Sequence, residues 1–295
     1  MSKTADKLDV GEMYEPLKLR TSEELNRQFM IALDDKDSRY ETFVHPGILL
    51  NFTSITQSPS FCLEKSVAAV GAKFEAQYLR PTEIGKTLTF YWEVTGVYER
   101  RSRLYQKCDI LVKDEDGREV LHRKITNTFI GGEYLERRVA WEKDKAYRRA
   151  VNISEFPKEG YEIGGVRKAL TMEKMRLFSG GLPGINWPSR NIHTDREISI
   201  RSGVGRPIGS GLMFEAYITE LMINFFGEGW FYNGEAKVIA IDMAGEGDVV
   251  VAKSVIKSRK DDARENKTVL DIWCENQFGN KIMIGTAKAF WNGEK

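Results

Sequence analysis

Apolar positions along the chain fall into two patterns, and each pattern occurs twice. Four segments alternate apolar with polar residues and are rich in Val, Ile, Phe, Tyr and Thr: 70–79 (VGAKFEAQYL), 86–100 (KTLTFYWEVTGVYER), 103–114 (RLYQKCDILVKD) and 119–130 (EVLHRKITNTFI). Four counterparts follow at 235–243 (EAKVIAIDM), 248–259 (DVVVAKSVIKSR), 267–276 (KTVLDIWCEN) and 280–291 (NKIMIGTAKAFW). Period-two alternation in such residues predicts strands. Ahead of each set, a glycine opens an apolar run of helical length: Gly47 before ILLNFTSITQ, and Gly211 before LMFEAYITELMINFF.

The punctuation repeats as well. Gly85 and Gly117 stand as far apart as Gly247 and Gly279, and both pairs lie at equivalent places between strand segments, the signature of an internal duplication. One long helix followed by an antiparallel meander is an α+β unit whose strands wrap the helix's apolar surface. That is the hotdog layout, so the expected architecture is two fused hotdog domains, each a long helix wrapped by an antiparallel sheet. The expected boundaries are an N-terminal domain at 1–135, a charged linker at 136–160 (with ERRVAWEKDKAYRR and Pro157) and a C-terminal domain at 161–295.

Composition narrows the function classes. A chain of 295 residues, 41% apolar and 11% aromatic, can fill two ordinary cores. Lys and Arg total 44 against 43 Asp and Glu, so no global field draws the protein to nucleic acid or an acidic membrane. Cys62, Cys108 and Cys274 are odd in number and lack C-x-x-C spacing, which argues against a disulfide framework or a zinc site and for buried free thiols. No stretch approaches the ~20 apolar residues of a membrane span, and residues 1–20 lack a signal-peptide core, so a cytoplasmic location is expected. No phosphate loop, dinucleotide fingerprint or nucleophile elbow is present.

The chemistry concentrates in 171–226. Thr171 with Glu173 starts a short helix, since a Thr cap and an acidic first turn suit free N–H groups. A loop broken by Gly and Pro then leads to the apolar helix at Gly211 and carries one histidine, His193, in NIHTD, followed by GRPIGSG. A long loop ending at a helix N-terminus is a natural site, because free N–H groups there hold developing negative charge. His45 in FVHPG either caps the first helix or lines a groove, and His122 alternates within a strand. Glu215 and Glu220 project to different sides of the central helix, and Gly227 is expected to cap its end.

At this point the sequence resembles the MaoC-like, hydratase-2-type enoyl thioester hydratases. Their loop runs G-D-x-N-P-[IV]-H and is followed by P-I-x-H-G at the start of the hotdog helix; NIHTDREISIRSGVGRPIGSGLM is similar to its later part. The resemblance implies hydration of an enoyl-CoA ester or dehydration of a 3-hydroxyacyl-CoA by a hydro-lyase without a cofactor. His193 falls on the catalytic histidine, and Gly211 on the glycine whose N–H binds the thioester oxygen. The substrate implied is a thioester of coenzyme A or acyl carrier protein, with the first half as a degenerate partner domain and whole chains paired as a homodimer.

One departure stands out. Counting back from His193 puts Pro188, Arg190 and Asn191 where the family has its catalytic Asp, its Asn and its Pro, and no carboxylate lies between Glu173 and Asp195. Candidates for the missing group are Asp195, able to orient the His193 ring if the loop bends; Ser210, beside Gly211; and a carboxylate of the substrate. Asn191, Arg190, Ser210, Arg206 and His45 are the expected substrate contacts. Arg190, Arg201 and Arg206 either hold a phosphate or carboxylate through bidentate bonds or are solvated loop charges. Other thioester chemistry on the same scaffold (hydrolysis, another lyase step or an isomerisation) and a non-catalytic thioester-binding partner subunit are the alternatives.

Overall fold

The computed structural model of the chain describes residues 9–53, 68–130, 157–180, 190–259 and 267–290. The linker expected at 136–160 lies outside the described residues up to 156, as do Cys62, Pro188 and residues 260–266.

In chain order the described elements are β1 (Leu17–Arg20), α1 (Glu23–Leu33), a 3-10 turn (Ser38–Glu41), α2 (Pro46–Asn51), β2 (Ala68–Tyr78), β3 (Thr87–Arg100), β4 (Arg103–Lys113) and β5 (Glu119–Ile130). The second set is β6 (Glu162–Ala169), α3 (Met172–Ser179), α4 (Arg196–Arg201), α5 (Gly211–Phe226), α6 (Gly229–Asn233), β7 (Glu235–Ala240), β8 (Val249–Arg259), β9 (Lys267–Asn276) and β10 (Lys281–Phe290). The strands form one antiparallel sheet in the order β1-β3-β4-β5-β2-β7-β10-β9-β8-β6. Reversing that order exchanges β1 with β6, β3 with β8, β4 with β9, β5 with β10 and β2 with β7. The chain is therefore two copies of one five-stranded unit joined edge to edge, with β2 paired to β7 from Lys73–Ile239 to Gln77–Glu235. This is a double hotdog.

The four strand pairs read from alternation are all present. Gly85, Gly117, Gly247 and Gly279 have φ of 90°, 78°, 90° and 80°, so the shared punctuation marks turns where a left-handed residue is needed twice over. Between β3 and β4, Arg101 and Ser102 both take positive φ, as a two-residue hairpin matched to strand twist requires. The edge strand β1 escaped notice because it has four residues and buries one, and β6 because its buried residues, Ile163 and Lys168, fall out of alternation across the register shift between Gly164 and Arg167.

The central helices differ. Helix α5 is buried all round except at Gly211, Glu220 and Asn224, as expected of an apolar helix that a sheet wraps. Helix α2 was expected to run on through the Thr-rich segment, but it stops at Asn51. Phe52 is extended, its carbonyl accepts from the Trp92 indole at 3.4 Å, and the Asn51 amide donates to the Phe178 carbonyl. The Trp92 indole thus takes the Phe52 carbonyl that a longer helix would have used, while the Asn51 side chain ties the helix end to α3. Residues 54–57 of that segment are outside the described residues.

Two buried ion pairs tie the halves together. Arg123 of β5 bonds Glu215 of α5 and the Leu50 carbonyl of α2, with both side chains at 1% exposure or less. Lys168 of β6 bonds Glu220 of α5 at 2.9 Å and the Asp34 carbonyl of the first half at 2.9 Å. Burial, reinforced by Asp35 and opposed by Lys168, pushes the Glu220 carboxyl up to about 8. No helix among the described residues is long and apolar enough to cross a membrane.

Removing one member of a buried pair strands the other without a partner. Glu215→Leu is therefore expected to lower stability by about 3–5 kcal/mol. Adding Arg123→Met should recover most of that loss, read as denaturant midpoints of the two variants.

Candidate active site

The described part of the loop that carries His193 is held by a series of hydrogen bonds. Asn191 donates from its amide to the Ser179 carbonyl at 2.7 Å and accepts from the His193 N–H at 2.8 Å. Thr194 accepts from the Asn191 N–H at 3.0 Å. Asp195 caps α4, accepting from the Ile198 N–H at 3.0 Å, and Ser199 Oγ donates to the Ile192 carbonyl at 2.9 Å. These bonds leave the histidine little choice of position.

His193 Nδ1 lies 2.8 Å from the Ile208 carbonyl. A carbonyl can only accept, so Nδ1 carries the proton and Nε2 keeps a lone pair. Burial pulls the ring's pKa below its ordinary value, and the Ile208 bond only partly opposes this, so the imidazole is neutral at pH 7. Ile208 is itself held, through its bridge to Gly245 and the bond from the Gly209 N–H to the Ala244 carbonyl at 2.9 Å.

Two residues further on begins α5. Ser210 is its cap, accepting from the Leu212 N–H at 3.3 Å. Gly211 occupies the first helical position, where an N–H has no acceptor within the helix and sits at the positive end of the dipole. Glycine is needed there because the Phe74 ring of β2 packs against its α-carbon; a Cβ would come within 2.8 Å of the ring.

His193, Ser210 and Gly211 share one cavity of about 80 Å³, walled by Phe74, Ile125 and Asn127 from the first half and open near the exposed Asp242. At roughly 30 Å³ per water, this holds a few waters or a short acyl group. The site is thus composite: the second half brings the histidine and the helix end, and the first half brings the opposite wall.

The other expected site residues lie elsewhere. Asp195, named as a candidate to orient the His193 ring, instead caps α4 and takes Arg190 Nε at 2.6 Å; the ring is oriented by the Ile208 carbonyl. Hydrogen bonding to Arg190 and to the Ile198 N–H holds the Asp195 carboxyl below its usual range. Arg190 and Arg201 are exposed and face Glu197, while Arg206 donates to the Glu246 carbonyl and Asp248. Asn191 shapes the loop rather than the cavity wall. His45 is 2% exposed, with Nδ1 accepting from the Gly47 N–H at 2.9 Å and Nε2 3.3 Å from Asp35, so it caps α2 and does not line this cavity. The sequence reading missed Asn127, Phe74 and Asp242. Asn127 left one signal, a polar residue on the inward face of a strand otherwise marked by Leu121, Arg123 and Ile125.

Solved structures match this architecture over nearly its whole length. A MaoC-like dehydratase is 14% identical over 96% of this chain and 98% of its own, with a TM-score of 0.71. A putative MaoC domain protein dehydratase from Chloroflexus aurantiacus J-10-fl is 9% identical over 98% and 97%, with a TM-score of 0.69. Rv0216 of Mycobacterium tuberculosis, described as a double hotdog fold, is 13% identical over 98% and 97%, with a TM-score of 0.63. The chain has the fold of the MaoC-like dehydratases. No family model matches the double hotdog described here, and no curated protein is similar to it in sequence.

A proton-exchange titration of the His193 ring by NMR should give a midpoint below 6.5. Because the folded ring binds its proton more weakly than the unfolded one, its contribution to stability is complete above the unfolded value of 6.5 and is lost as pH falls from there through the folded midpoint. A midpoint above 6.5 would contradict the neutral ring.

Proposed function

We propose that the cavity binds an acyl thioester and that the protein adds water to an enoyl-CoA ester, or removes it from a 3-hydroxyacyl-CoA. One observation carries this reading: a neutral histidine with a free Nε2 lines the same small cavity as an unsatisfied helix N-terminal N–H. Those groups suit a reaction in which a base handles one proton while an oxygen gains charge.

In the hydration direction, His193 Nε2 takes a proton from water as the water oxygen bonds to C3. The C2=C3 electron pair shifts toward the carbonyl, and the enolate oxygen accepts from the Gly211 N–H. The imidazolium then returns its proton to C2 and the enolate collapses to the thioester. Atoms balance with His193 as the only proton carrier, and dehydration is the reverse. Asp242, the only carboxylate among the described residues of the wall, is exposed and accepts from the Met243 N–H at 2.8 Å; the scheme does not use it. A coenzyme A ester, a hydro-lyase reaction and pairing of whole chains into homodimers belong to this same reading.

The test is a panel of short, branched, aromatic and dicarboxylic enoyl-CoA esters, followed by loss of the conjugated thioester absorbance and, separately, by thiol release. Turnover of at least one ester without thiol release is expected, with His193→Ala slower by about 10²–10⁴-fold. The wild-type rate should fall as pH drops and the ring protonates. Thiol release would replace hydration with hydrolysis; binding without turnover would make the protein a thioester-binding subunit.

A further inference from the structure

Asn127 is an inward-facing residue of β5, 7% exposed, and its side-chain nitrogen is buried without a hydrogen-bond partner. Yet it lines the cavity with His193 and Gly211. A buried amide left unpaired costs about 1–3 kcal/mol, so a fold does not keep one without compensation. The neighbouring backbone is shaped around it. Across from Asn127 on β2 lies Gly71, where the β2–β5 register shifts before Lys73, and a Cβ at Gly71 would strike the Phe74 ring at 2.2 Å. The bulge and the missing side chain together let the Phe74 ring pack where a side chain at Gly71 would lie, next to the cavity that the amide lines, and bulges next to sites commonly re-aim side chains.

The amide also narrows what it can hold. It offers a donor and an acceptor but no charge, and the nearest cation on the same strand face, Arg123, is already engaged by Glu215. A hydroxyl or water, which both donates and accepts, complements such a group.

We propose that Asn127 binds the oxygen that joins or leaves the substrate at C3, so that the non-catalytic half supplies the contact that discriminates a 3-hydroxyacyl thioester from its saturated analogue. This rests on the acyl-thioester reading above. Asn127 carries no proton in the reaction; it holds the water or hydroxyl where the His193 lone pair can reach it.

Binding of 3-hydroxybutyryl-CoA and butyryl-CoA to the full chain by calorimetry tests this, with thermal unfolding alongside. The wild type should prefer the hydroxy ester by about tenfold, the value of one buried hydrogen bond. Asn127→Leu should bind both esters alike, with butyryl-CoA affinity unchanged, and should melt no lower than wild type, because it removes an unpaired buried amide. Asn127→Ala should show the same lost preference where Leu is too bulky. If both variants keep the preference and melt lower, the amide is partnered by Gln106, its cross-strand neighbour with an unpaired carbonyl oxygen, and the proposal falls. If the wild type binds both esters equally, the proposal falls while the thioester reading survives. If it binds neither, the thioester reading fails and takes the proposal with it.

Discussion

The bond from Arg123 to Glu215 sets the geometry on which the site depends. Glu215 lies one turn below Gly211 on the same face of α5, so holding its carboxylate fixes both the rotation and the depth of the helix whose first residue lines the cavity. Arg123 in turn is anchored on the sheet of the other half and on the end of α2, where the Leu50 carbonyl belongs to the last turn and a cation suits the dipole. Four residues along the same strand face stands Asn127. A single buried cation therefore references the helix end and the opposing wall to one strand. The cost is desolvation, visible in the Glu215 carboxyl, which burial pushes up even with the guanidinium opposing it. Such pairs add little net stability compared with apolar residues, so specification of register is the better account of this one.

Duplication of the unit makes the asymmetry of the two halves informative. Gly47 and Gly211 open equivalent helices, but their N–H groups meet different fates. In the first half, the His45 ring bonds the Gly47 N–H, with Asp35 behind it, and Leu33 and Phe29 pack against the glycine. The donor that could stabilise an oxyanion is occupied by the chain itself. In the second half, the cap is Ser210, whose short side chain bonds Leu212 and leaves Gly211 facing the cavity. A one-residue difference in where the capping acceptor sits decides which half has an open helix end.

Much of this fold was legible from alternation alone, because eight long strands each bury one face and the turn glycines recur at one spacing. The edge strand β6 does not show that pattern, because a register shift puts its buried Ile163 and Lys168 out of step. The early end of α2 was hidden for another reason: its termination is tertiary, through Trp92 and Phe178, and local sequence favoured continuation. At the site, His193, Ser210 and Gly211 were visible as a loop leading to a helix. The arginines and Asp195 misled because charge beside a histidine reads the same whether it meets a ligand or a neighbour. Asp195 precedes a helix with Arg190 within reach, and capping plus an ion pair satisfies its carboxylate locally. The wall from the first half could not be placed, since nothing in the sequence says which strand crosses to the other domain's loop.

Among the described residues no carboxylate bonds the His193 ring, and that shapes its chemistry. Where an Asp shares a site with His, its negative charge raises the ring's pKa and divides proton duties between two groups. With Asp195 turned to α4 and only a backbone carbonyl behind Nδ1, burial acts on the ring nearly unopposed, and the ring stays neutral. In the proposed hydration, a neutral base accepts a proton most readily as negative charge develops close by, and the N-terminal dipole of α5 is where that charge would settle. In that scheme base strength and oxyanion stabilisation are coupled: the imidazolium would be tolerated only while the enolate exists. Such coupling would, in the proposed hydration, favour returning the proton to carbon over releasing it to solvent, so that one histidine and one helix end would suffice.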